Sequence, residues 1–77
     1  MMKGIISSIP NKNDRPANWC FIKGEDGKEY FLHISELFDR WDKLKSSLAM
    51  SGNVTVEFET TMGDKGPRAV GAKIVND

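Results

Sequence analysis

Trp19 and Phe21 lie two residues apart, and so do Phe31 and His33; an Asp26-Gly27 pair separates the two sets. Residues two apart share one face of a strand, and Asp-Gly between apolar runs is a hairpin signal. The spacing predicts a hairpin with arms 19–23 and 28–34. Trp19, Phe21, Phe31 and His33 then share one face, and Cys20, Ile22, Tyr30, Leu32 and Ile34 the other. One face is aromatic and partly polar, the other compactly aliphatic. Ring faces exposed on a sheet do their chemistry by stacking.

Other chemistries lack their residues. His33 is the single histidine and Cys20 the single cysteine, so no metal-ligand set assembles from them. No spacing supplies a nucleophile with a base and an orienting acid. Neither glycine cluster carries the Gly-Lys-Ser/Thr of a phosphate-binding loop; Met62-Gly63-Asp64-Lys65-Gly66-Pro67 reads as a tight turn. The expectation is a protein without enzymatic activity, metal, cofactor or small-molecule substrate. Cys20, on the inward phase, reads as a small buried hydrophobe.

The elements that position the rings follow from period and punctuation. Residues 2–9 are rich in β-branched types and stop at Pro10, and 11–18 form a polar loop containing Lys12 and Arg15. After the hairpin the period changes. Leu37, Trp41, Leu44 and Leu48 form one helical stripe, with Ser35 as N-cap, Glu36 in the first turn and Gly52 as the exit. Glu36 to Arg40 and Asp39 to Lys43 are helical ion-pair spacings. Val54, Val56 and Phe58 then alternate with Thr55, Glu57 and Glu59, and a last strand covers 68–75. Three strands, a short helical insertion, then two strands predict an all-β, five-stranded antiparallel Greek-key barrel of OB type, one domain over 1–77. In such barrels the second and third strands form a favoured ligand face.

Composition narrows the partners. Seventy-seven residues carry eleven Lys+Arg and eleven Asp+Glu, for zero net charge. That balance argues against duplex DNA held through many phosphates and against an anionic membrane. The 39% hydrophobic content is too high for a disordered tail and too scattered for a membrane span. No apolar run follows Lys3, so no leader is expected. One cysteine allows no internal disulfide, which makes a reducing cytoplasm the expected location.

Three stretches resemble the cold-shock domain family, small bacterial OB-fold proteins that bind single-stranded RNA and DNA. Asn18-Trp19-Cys20-Phe21-Ile22 is similar to that family's Gly-Phe-Gly-Phe-Ile. Tyr30-Phe31-Leu32-His33-Ile34-Ser35 is similar to its Val-Phe-Val-His-Phe-Ser. Asp64-Lys65-Gly66-Pro67-Arg68-Ala69 resembles its turn before the last strand, and Lys3-Gly4-Ile5-Ile6 fits the start of its first. The likeness spans nearly the whole chain apart from the long loop and the helical insertion. It implies base stacking on Trp19, Phe21, Phe31 and His33, with a phosphate contact from Lys65; Lys12 and Arg15, in the longer loop that flanks this face, and Lys23 on the hairpin are the further phosphate-contact candidates. Trp41-Asp42-Lys43-Leu44 is similar to the family's Phe-Lys-Thr-Leu loop, which adds Trp41, whose simpler role is packing the helix on the barrel. Implied too are a monomer or weak dimer and an RNA-chaperone or regulatory role.

The departures weigh against this. Ser7-Ser8-Ile9 stands where the family has Lys-Trp-Phe, Ile34 replaces an aromatic, and Ala17 replaces a lysine. Two missing rings, at about 1–3 kcal/mol per stacked base, remove about 2–6 kcal/mol of affinity. The competing expectation is an OB-fold protein-interaction module that has lost most of its nucleic-acid binding.

Overall fold

The computed structural model describes residues 1–64 and 66–75, with Lys12 and Pro16 described through their backbone alone. Five strands close a barrel: β1 (Met2–Ile6), β4 (Trp19–Gly24), β5 (Glu29–His33), β6 (Val54–Gly63) and β7 (Gly66–Ile74). Around the barrel the order is β1-β4-β5-β7-β6, with β6 returning to β1. This is a small all-β barrel consistent with an OB-like architecture. The expectation of antiparallel pairing throughout is corrected at one seam: β5 and β7 run parallel, with Phe31 opposite Arg68. Parallel neighbours require a crossover rather than a hairpin, and the helical connection together with β6 provides it.

Period-2 alternation accounts for the core. Cys20, Ile22, Tyr30 and Leu32 on the hairpin point inward to meet Ile6, Val54, Val56, Phe58, Ala69 and Ala72. Phe58 is the largest wholly buried side chain, and the tilted Tyr30 ring lies 5.3 Å from it. Burial pushes the Cys20 thiol up to about 12, so it packs as a neutral apolar group. At the β1–β4 seam Gly4 faces Gly24. A Cβ on Gly4 would lie 2.4 Å from Ile22 Cγ2 and 2.7 Å from the Lys23 carbonyl oxygen. The two strands meet there because neither glycine carries a side chain.

The connection from β5 to β6 differs from expectation. Ile34–Glu36 is a 3₁₀ turn capped by His33, and the α-helix α1 spans Trp41–Ser51 behind Arg40. Ser35 therefore lies inside the first turn and does not cap a helix running from 35 to 48. Ile34 leaves the strand phase and is 37% exposed, where alternation had placed it inside. The stripe survives the break: Leu37 and Leu44 are buried, and Trp41 and Leu48 pack on the core from its rim. Two carboxylates hold the intervening segment to β7. Glu36 accepts from the Gly71 N–H at 3.3 Å and Asp39 from the Ile74 N–H at 2.6 Å. Asp39 also meets Lys43 at 3.5 Å, whereas no Glu36–Arg40 ion pair forms among the described residues. Gly52 ends α1 in the left-handed region at φ 81°, as a C-terminal glycine does.

The polar loop contains a two-residue ladder, β2 (Asn11–Lys12) against β3 (Arg15–Pro16). Asn13 and Asp14 turn it at φ 53° and 62°, a conformation these two types tolerate best. At the other end of the barrel, β6 and β7 extend to Gly63 and Gly66. The turn expected over 62–67 is thus shorter, and the last strand starts before 68.

Candidate functional site

β4 and β5 pair in the register Trp19–His33, Phe21–Phe31 and Lys23–Glu29. The inward residues between these pairs are buried, so the register sets Trp19, Phe21, Phe31, His33 and Lys23 on the outer face together. Trp19 and Phe31 stack with ring centroids 5.8 Å apart and planes inclined by 24°. Phe21 stands edge-on to both, at 5.6 Å from Trp19 and 6.2 Å from Phe31. Phe21 is 46% exposed, while Trp19, Phe31 and His33 are half-buried. The rings hold one another in place by stacked and edge-to-face contacts, geometries that aromatic pairs favour. His33 is fixed separately, with Nδ1 accepting from the Ser35 N–H at 3.1 Å.

The cations are distributed less tightly. Lys23 is exposed on β4 at the end of the ring row, beside Ile5 of β1. Arg15 is exposed on the β2–β3 ladder. The Lys12 side chain and all of Lys65 lie outside the described residues. The three salt bridges among the described residues join Lys43 to Asp39, Lys45 to Asp42 and Lys73 to Glu57. Neither Lys23 nor Arg15 takes part in these three.

Trp41 is not brought into the ring cluster. It sits at the start of α1, half-buried on the core, and its indole Nε1–H donates to the Ala17 carbonyl at 3.2 Å. The Ala17 N–H in turn donates to the Pro10 carbonyl at 2.7 Å. Trp41 thereby anchors the base of the loop that carries Arg15.

Two further side chains, Arg68 and Phe38, were not singled out by spacing. Arg68 stands directly opposite Phe31 across the parallel seam and opposite Thr61 on β6. Its stem crosses Gly63, where a Cβ would lie 2.6 Å from Arg68 Cδ. Its Nε is buried with no hydrogen-bond partner among the described residues. Phe38 is 79% exposed, and its ring lies over Gly71, 3.8 Å from where a Cβ would stand. The signal for Arg68 was its place in the stretch 64–69; the signal for Phe38 was a phenylalanine off the helical stripe.

No family model and no curated protein matches the chain. No helix among the described residues is long and apolar enough to cross a membrane.

Proposed function

We propose that this protein binds single-stranded RNA or DNA by stacking unpaired bases on the outer face of β4 and β5. The observation that carries the reading is the cluster of Trp19, Phe21 and Phe31, three rings within 6.2 Å of one another on the outside of a barrel. A cluster of rings on the outer face marks an interaction surface, and each unpaired base offers a π-face to it. Stacking needs no net positive charge, so an electroneutral chain is compatible with it. Lys23, Arg15 and Arg68 supply local positive charge for the backbone, with Lys12 and Lys65 as further candidates. The closed five-stranded barrel is compatible with a Greek-key OB fold, and with the cold-shock resemblance it supports the same reading: a non-enzymatic, chaperone-like or regulatory role in the cytoplasm as a monomer or weak dimer.

The test is a titration of labelled oligothymidine followed by tryptophan fluorescence. Trp41→Phe leaves Trp19 as the sole reporter, and quenching of Trp19 is the expected result. Absence of binding at low salt and high protein concentration sinks the reading. A protein-interaction module is the second reading, favoured by the exposure of Ile34, Phe38 and Met62 and by Ser7 and Ser8 in the place of a lysine and a tryptophan.

A further inference from the structure

His33 closes the row of outer-face side chains on β5 and also caps the 3₁₀ turn Ile34–Glu36. Its Nδ1 lies 3.1 Å from the Ser35 backbone nitrogen and 2.8 Å from Ser35 Oγ. A backbone N–H can only donate, so Nδ1 accepts and carries no hydrogen. The hydroxyl can donate to the same lone pair or rotate away, so it does not choose the tautomer. A neutral imidazole then keeps its hydrogen on Nε2. No described residue accepts from Nε2, and the ring stands in register with Trp19 on the stacking face.

We infer that the Ser35 amide is a positioning group that locks His33 in its Nε2–H form, so that the ring row ends in a fixed hydrogen-bond donor for an oxygen of the bound strand. The ligand half of this inference rests on the nucleic-acid reading; the tautomer half does not. A donor of fixed direction differs from the neighbouring rings, which accept any π-face. It gives the surface one position at which an acceptor is required, because a bound strand lacking it would cover the N–H and leave it unpaired. The acceptor is a base carbonyl or a phosphate oxygen.

The single histidine lets the ring nitrogens be read without ambiguity in the ¹⁵N-labelled full chain. A long-range ¹H–¹⁵N spectrum of the free protein at mildly alkaline pH is expected to show a pyrrole-like Nε2 and a pyridine-like Nδ1. A pyrrole-like Nδ1, or two averaged nitrogens, overturns the lock. Ser35→Ala keeps the backbone N–H and should leave the spectrum unchanged. Ser35→Pro deletes that N–H and should release the ring to an averaged pair. An unchanged spectrum in folded Ser35→Pro overturns the assignment to Ser35, and the parent spectrum decides the lock should that variant fail to fold.

For the ligand, His33→Phe keeps a stacking ring and removes the donor. It should weaken oligothymidine binding about two- to tenfold, as one hydrogen bond does. Replacing single thymines by difluorotoluene removes the carbonyls and keeps the shape. At one position this should cost the parent the same factor and His33→Phe nothing, which identifies a base carbonyl. The same pattern at a single methylphosphonate linkage identifies a phosphate oxygen instead. Non-additivity at neither, with binding intact, overturns the donor role and leaves base stacking standing. Absence of all oligonucleotide binding overturns the ligand half together with the proposed function, and the tautomer spectrum still decides the lock.

Discussion

Phe31 is the residue on which stacking and stability converge, and its replacement is predicted to separate them. Phe31 touches Trp19 at 5.8 Å and Phe21 at 6.2 Å and stands opposite Arg68. Each ring pair contributes about 0.5–1.5 kcal/mol beyond its buried area, so Phe31→Ala forfeits about 1–3 kcal/mol of folding free energy. A barrel of 77 residues has only a few kcal/mol in total, so this variant will be partly unfolded under modest stress. Phe31→Leu keeps the apolar bulk against its neighbours and removes the π-face. The account predicts that folded Phe31→Leu loses about 1–3 kcal/mol of oligothymidine affinity, or about 5- to 150-fold. Urea denaturation fixes the folded fraction of each variant, and the fluorescence titration is then corrected for it. Phe31→Leu binding as tightly as the parent would refute the claim that this ring carries a base.

Further outcomes follow from individual contacts. Gly4→Ala should cost about 1–3 kcal/mol or more in thermal or urea unfolding, because its Cβ meets the Lys23 carbonyl at 2.7 Å. Gly27→Ala, with nothing within 4 Å and φ +83°, should cost only the left-handed backbone penalty of about 1–2 kcal/mol. Arg68→Gln should weaken strand binding and reduce the magnitude of its logarithmic salt slope by about 0.7, the value of one lost single-strand phosphate contact; an unchanged slope assigns Arg68 no phosphate. Cys20 should react with a thiol reagent only as fast as the protein opens, since burial holds its pKa near 12; fast labelling of the folded protein contradicts that burial. The Tyr30 hydroxyl, followed by the Lys28 N–H, holds the Asp26 carboxyl below its ordinary value. The stabilisation from this link is complete above the unfolded carboxyl pKa and is lost as pH falls through the lower folded value. Tyr30→Phe should therefore flatten the acid limb of a stability–pH profile, and an unaltered limb excludes the link.

Local period made the hairpin legible. Alternation alone separated Trp19, Phe21, Phe31 and His33 from Cys20, Ile22, Tyr30 and Leu32, because a strand offers two faces and one of them had to be apolar. The same rule failed at Ile34, one residue past the end of β5, where the His33 cap turns the chain into a 3₁₀ helix. Ser35-Glu36 has the composition of a helix start, yet α1 begins only at Trp41. Glu36 and Asp39 are occupied in accepting from Gly71 and Ile74, some 35 residues away, and no local pattern encodes such bonds. Arg68 escaped for a related reason. Its neighbour Phe31 lies across a parallel seam, and only closure of the barrel brings the two together.

The most direct measurement is a ¹H–¹⁵N and aromatic ¹H–¹³C titration of the labelled protein with a short oligothymidine. The account predicts shifts centred on the Trp19 indole and the rings of Phe21, Phe31 and His33, with smaller ones at Arg68 and Lys23. Shifts confined to α1 and the start of β6, or none at saturating oligonucleotide, would contradict it.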